Sequence, residues 1–306
     1  MSAKGISGWV VTTHALMSDP YGYDYTPIVS QGHEVLARLN WGYQSDGDYP
    51  GTIPERYMYE GFSKAVGEWV EKSNGCHKWI VGNEVNLPIE WPRRQLITPW
   101  DYAECFRACR EEIRGVKGHE EDHVIPAAVG PWNDQAKYEQ NPLGDWVLYF
   151  IQMLTAIREL DGIAVHAYTH GPEVYKIYNS FPMDPPFSNY QYNFRTYQDF
   201  LWAVPESMRK LPVYITETDQ NDTWVDANNS WVKYAYGEIN NWNTAPGKRQ
   251  KVHCLVLYRW RHYDKYGIEG KRGVIEDFEE AMEERYETPS DLPNNLPGCL
   301  GVVRGV

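Results

Sequence analysis

The chain has 306 residues, with 29 Lys and Arg against 42 Asp and Glu, and its formal charge of −13 argues against a nucleic-acid phosphate binder, which needs basic stripes. No run of about 18 apolar residues occurs, so no transmembrane helix is expected. Aromatic usage is the informative part of the composition: 13 Trp and 23 Tyr against 8 Phe supply flat rings with a polar edge, suited to packing near water and to stacking on ligands.

Taken in chain order, short apolar runs at 9–13, 34–39, 78–81, 123–129, 162–166, 212–216 and 252–258 read as strands buried on both faces of a parallel sheet. Helical patterns over 57–72, 99–115, 145–159, 194–208, 230–242 and 274–285 alternate with them. Thr98 before Pro99, with Asp101 and Glu104 following, marks one helix start. The alternation has no Gly/Ser linker and no break in composition, which predicts one α/β domain over 1–306. No GxGxxG follows the first strand and no GxxxxGK[ST] occurs, leaving the (β/α)8 TIM barrel, with chemistry at the C-terminal ends of its strands. Only seven strands are legible, the gap lying near the N-terminus. Turn-rich loops at 42–56 and 167–193 follow strand ends and are expected on the binding face. Residues 287–306 form an extended tail; the open place beside the strand at 9–13 is expected to be met either by two chains pairing there, the preferred reading, or by help from the apolar tail at 299–303.

The five cysteines, Cys76, Cys105, Cys109, Cys254 and Cys299, contain no CxxC and predict no zinc knuckle. The start, Met1-Ser2-Ala3-Lys4-Gly5, does not look like a signal peptide, and the native location stays open, an extracellular one being favoured.

Polar groups at the strand ends carry the functional reading. The strand at 78–81 runs into Asn83-Glu84, that at 212–216 into Glu217, and that at 162–166 ends on His166 with Tyr168 beyond. Arg38, Asn40 and Trp41 close the strand at 34–39, and Trp260 follows the last strand. A charge in a buried parallel strand is costly unless it stands at the mouth with partners, so Glu84 and Glu217 are expected to converge. Two converging carboxylates suit glycoside hydrolysis: one protonates the departing oxygen, the other attacks the sugar carbon from about 5–5.5 Å away in a retaining enzyme. Asn83 would orient a sugar hydroxyl, and Tyr168 or His166 would keep Glu217 ionised. Trp41, Trp91, Trp132 and Trp224 follow strand ends and offer further stacking faces.

With Asn83-Glu84, then Glu217 three units later, then Trp260, residues 34–278 resemble the clan of retaining β-glycosidases built on the (β/α)8 barrel, the clan A type of glycoside hydrolase. The resemblance implies that Glu84, in the strand-four Asn-Glu pair, is the acid/base and that Glu217, in the strand-seven place, is the nucleophile. It also implies a Tyr or His from strand six on the nucleophile and a strand-eight Trp, here Trp260, in the central subsite. The strands at 9–13 and 34–39 then take the second and third places, so the barrel would lack or shorten its first βα unit. Arg38 departs from the clan's pattern, standing on the third strand and not near the second.

The expected activity is therefore retaining hydrolysis of a β-linked oligo- or polysaccharide. Aromatic residues after several strands favour an open cleft and endo action. No cofactor and no metal is expected, and the partner is the carbohydrate itself, with a monomer or a homodimer both open. Two alternatives remain: a non-catalytic carbohydrate-binding barrel, and a metal-dependent barrel hydrolase using His166 and His170, with His14 a further possible ligand.

Overall fold

The computed structural model describes residues 1–43, 49–247, 250–286 and 300–305. All seven expected strands are present: β1 (Trp9–Ala15), β2 (Glu34–Asn40), β3 (Lys78–Val81), β4 (His123–Pro126), β5 (Ile163–His166), β6 (Val213–Thr218) and β7 (Val252–Leu257). An eighth, β8 (Leu300–Gly305), comes from the tail. The eight form one parallel sheet in the order β4-β3-β2-β1-β8-β7-β6-β5. β8 pairs with β1 from Trp9↔Gly301 to Thr13↔Gly305 and with β7 from Leu255↔Leu300 to Leu257↔Val302. The place that the sequence leaves open beside the first strand is thus held by residues 300–305, while 287–299 lie outside the described residues.

The helices α1 (Thr26–Val29), α2 (Tyr59–Glu71), α3 (Pro99–Gly115), α4 (Trp146–Ile157), α5 (Tyr175–Tyr178), α6 (Thr196–Ala203), α7 (Trp231–Thr244) and α8 (Arg272–Glu283) fall between strands. α3 starts at a reciprocal cap, in which the Asp101 amide donates to Thr98 Oγ1 and the Thr98 amide to Asp101 Oδ2. α6 stops short of the expected 208 because Val204 precedes Pro205, which disfavours helical backbone at that residue. β4 likewise stops at Pro126, and the next amide, Ala127, donates to the Tyr102 hydroxyl instead of a ladder partner.

Strand residues alternate between two cores. Val10, Val35, Val81, Val124, Val165 and Ile215 pack beneath the helices. Trp9, Val11, Leu36, Ile80, Ile125, Ala164, Tyr214 and Val256 meet on the other face in a single buried cluster fed by all of β1 to β7, so the sheet curls strongly. Its edges, β4 and β5, approach through Asp161, whose amide donates to Val124 O and whose carboxylate accepts the Val124 N–H.

β8 separates β1 from β7, and removing it would leave both with unpaired backbone. Deleting residues 300–306 is expected to lower the thermal unfolding midpoint sharply and to drive association, read by calorimetry and size-exclusion chromatography. A truncated chain with the parent's midpoint and elution volume would show β8 to be dispensable.

Candidate active site

β3 ends at Val81, and Gly82 turns the chain with φ of 79°, a left-handed conformation that a side chain would strain. The Gly82 amide donates to Leu39 O, and the Asn83 amide to Thr52 Oγ1 at 2.5 Å. Glu84 follows at a positive φ of 35°. Opposite, Asn86 exchanges two hydrogen bonds with the backbone of Gly130 and draws that residue against Glu84. A Cβ on Gly130 would lie 3.3 Å from the Glu84 carboxyl carbon and 3.1 Å from Leu87, so glycine leaves the room the carboxylate occupies.

Glu217 reaches the same place by a different route. Strict alternation from Tyr214, which faces the inner cluster, would turn residue 217 toward the helices. The ladder slips here: Val165 pairs with Ile215 but His166 with Glu217, and β7 shows a matching irregularity between Ile215 and Thr218. An extra residue in the strand re-aims the next side chain, and Glu217 faces inward. Arg38, on β2 with the parity of inner Leu36, donates to Glu217 Oε1 in a buried ion pair.

His166 and Tyr168 join the two carboxylates. His166 Nδ1 lies 2.8 Å from Glu84 Oε1 and its Nε2 3.9 Å from Glu217 Oε1. The Tyr168 hydroxyl is 3.4 Å from Glu84 Oε1, 3.2 Å from Glu217 Oε2 and 2.9 Å from His166 Nδ1. Burial pushes the Glu217 carboxyl upward. The charges of His166 and Arg38, with hydrogen bonds from Arg38 and Tyr168, outweigh it and hold the group below its ordinary range.

Of the other expected site residues, Asn40 stands two positions beyond Arg38 on the same strand face, and Asn83 is buried with its amide donating to Glu90 Oε1 at 3.3 Å. Asn40 Oδ1, Asn83 Oδ1 and the Arg38 Nη2 are buried without a hydrogen-bond partner among the described residues. Trp132 lies beside Tyr168 with ring centroids 6.3 Å apart and continues into His170, which stacks on Tyr192 at 3.8 Å. Trp41 packs edge-on against Phe62 and lines a surface cavity of about 610 Å³ with Met17, Tyr49, Tyr57 and Arg93. Trp91 and Trp224 are buried, their indoles donating to Val85 O and Tyr258 O, and act as packing residues.

Trp260 is not brought to this cluster. It lines a small cavity on the helix side of the sheet with Val10, Ile28 and Phe278. The strand ends at Leu257 and the chain folds back on itself, the Arg259 amide bonding to Tyr266 O and the Glu269 amide to Trp260 O, so strand alternation no longer holds at residue 260. Tyr258, which packs on the inner cluster, occupies the mouth instead, its hydroxyl pushed up by burial and by the charge of Glu217. The parity of Cys254 and Val256 was the available signal for it.

Sequence reasoning also missed two carboxyl groups. Glu90 is pushed up to about 8 by burial and by the charge of Glu84, with the Asn83 amide opposing. Asp219 is pushed well above the carboxylate range by burial, with Glu217 and Glu84 adding to it. Asp219 lies two residues past Glu217 and was legible in principle; Glu90 sits in a loop with no motif. The histidines weighed as metal ligands do not gather: His166 is on Glu84, His170 stacks on Tyr192, and His14 is buried among Tyr23, Tyr25 and Trp69.

No protein-family model and no curated protein sequence matches the chain. Solved structures do. A double mutant of the Cellulomonas fimi endo-β-1,4-mannanase superposes with a TM-score of 0.55 at 12% identity, covering 91% of this chain and 60% of that one. The modular endo-β-1,4-mannanase from Cellulomonas fimi gives 0.52 at 12% identity, covering 83% and 55%. A glucosidase from Croceicoccus marinus gives 0.50 at 12% identity, covering 82% and 53%. This chain therefore spans between half and two thirds of their lengths, and the likeness establishes a shared α/β fold with a parallel sheet.

The raised Glu90 carboxyl has a thermodynamic consequence. Its protonated form is favoured in the folded state, so the stability it contributes is full below the ordinary carboxyl range near ~4.3 and is lost as pH rises through about 8. Glu90→Gln keeps the shape without the charge. It is expected to match the parent's unfolding midpoint at pH 4 and to exceed it increasingly up to pH 8. Parallel midpoint-against-pH curves would contradict that assignment.

Proposed function

We propose that the chain is a retaining β-glycoside hydrolase, with Glu84 as acid/base and Glu217 as nucleophile, on a (β/α)8 barrel closed between β4 and β5. The observation that carries this reading is that one phenol hydroxyl, Tyr168, is within reach of both carboxylates while Arg38 neutralises only Glu217. A pair so close favours the shorter, retaining separation over the ~6.5–9.5 Å that an inverting enzyme needs for its water.

In the first step a Glu217 oxygen attacks the anomeric carbon, the glycosidic C–O bond breaks, and Glu84 gives its proton to the departing oxygen. Glu217 loses its negative charge in the glycosyl ester. Glu84, now a carboxylate, takes a proton from water, which displaces Glu217 and restores the original anomeric configuration. Arg38 and Tyr168 serve the nucleophile by keeping it ionised and fixing its orientation. The unsatisfied amide oxygens of Asn40 and Asn83 suit sugar hydroxyls. Trp132, with His170 and Tyr192, supplies an aromatic wall beside Tyr168 on one side of the pair. A wall of three successive rings running away from the pair favours an endo-acting enzyme on a β-linked polymer, in keeping with the mannanases the fold resembles.

Glu217→Gln is expected to abolish turnover of every substrate. Glu84→Gln should cost about 10²–10⁴-fold on polysaccharide but spare aryl β-glycosides with good leaving groups in their first step, since these need no proton. Proton NMR of the first-formed product anomer, on a panel of β-glucans, galactans, mannans and xylans, completes the test. An inverted anomer, or a Glu217 variant with ordinary activity, would overturn the assignment, and binding without turnover would make the chain a lectin-like barrel.

A further inference from the structure

At the opposite end of the strands, three metal-ligating side chains face one another. His77 immediately precedes β3 and Asp122 immediately precedes β4, and the two are held in register by the hydrogen bond from the His123 amide to His77 O. His119 is fixed by the turn in which the Asp122 amide donates to its carbonyl. The Asp122 carboxylate sits between the two rings: Oδ1 is 2.7 Å from His77 Nδ1, and Oδ2 is 2.6 Å from His119 Nδ1. Candidate donor atoms from all three lie within 4.8 Å of one another.

We propose that His77, His119 and Asp122 form a binding site for a borderline divalent transition-metal ion, with Zn²⁺ the natural occupant, independent of the glycosidase reading. Two imidazoles and one carboxylate are a ligand set zinc takes, with a fourth position left for water. Tetrahedral zinc at about 2.0–2.2 Å places neighbouring ligand atoms roughly 3.3–3.6 Å apart, so the two His–Asp spacings must open by somewhat less than about 1 Å, a side-chain adjustment. Each ring binds through the Nδ1 lone pair as its Nε2–H tautomer.

The surroundings suit such a site. Asp122 is buried, and the Trp79 indole N–H donates to its Oδ2 at 2.6 Å, the outer-shell hydrogen bond that orients a ligating carboxylate. Its ligands stand on strand starts and a tight turn, so little ordering is left for the ion to impose. His77 is the open side, with 61% of its side chain exposed, which gives the ion a path in and the fourth position to solvent. The ion would clip the entry to β3 to the entry to β4, at the sheet end remote from Glu84 and Glu217.

The full chain, treated with chelator and dialysed, is titrated calorimetrically with ZnCl₂, and Co²⁺ is then substituted to read coordination from its visible absorption. The expected result is saturation at one ion per chain, a higher unfolding midpoint with Zn²⁺, and no such shift with Mg²⁺, which prefers all-oxygen sites. His77→Ala removes an exposed ligand and should keep the metal-free midpoint. It should weaken zinc binding by at least the ~10- to 100-fold that loss of an outer-shell partner costs. Hydrolytic activity, if present, should be unchanged by metal or by this variant. Absence of saturable binding would overturn the proposal, as would His77→Ala and His119→Ala chains that titrate like the parent. Either result would leave the two imidazoles as hydrogen-bond partners of a buried Asp122.

Discussion

An ionised carboxylate placed inside a protein must be neutralised where it stands, and the buried contact between Arg38 and Glu217 meets that requirement. Removing one partner of such a pair typically costs about 3–5 kcal/mol, because the other charge is stranded. Much of the surrounding structure serves this contact. β2 turns Arg38 inward on the parity of Leu36, the irregularity in β6 brings Glu217 to meet it, and Tyr168 caps the remaining oxygen. Glu84 is held by other means: a left-handed Gly82, the Asn86 clamp and the bare face of Gly130.

Four acidic side chains crowd this mouth, and they do not share charge evenly. Glu217 has the guanidinium and is held ionised, whereas Glu90 and Asp219 are pushed toward their protonated forms by burial and by the negative charge beside them. Negative charge is thereby concentrated on the residue that faces a cation. The neutral carboxyl of Glu90 still accepts from Asn83 and so helps to fix that amide next to Glu84.

The parts legible in the sequence were those governed by local pattern. Runs of buried β-branched residues marked seven strands, and polar residues at their ends marked Arg38, Glu84, His166, Tyr168 and Glu217, which the structure does gather. The tail was legible as a candidate cover for the open edge, but Leu300–Gly305 was not legible as a strand, because a short segment with two glycines shows its strand character only when neighbours on both sides pair with it. Glu217 faces inward by a register slip that no alternation rule reveals, and Trp260 faces away because backbone bonds beyond the strand override the same rule. Glu90 and the His77–His119–Asp122 group bring together residues from loops and strand entries, a juxtaposition only the tertiary fold creates.

The pairing of Trp9 with Gly301 has a consequence for how the molecule is made. Chains are synthesised from the N-terminus at about 5–20 residues per second, and early segments fold as they emerge. β1 can find β2 early, but its other edge stays open until residue 305 has been added. Until residue 305 emerges the nascent chain therefore carries an unfinished seam, and closing it joins residues nearly 300 positions apart, the kind of long-range contact that slows folding most. During that interval the unpaired edges of β1 and β7 are exposed to pairing with other strands.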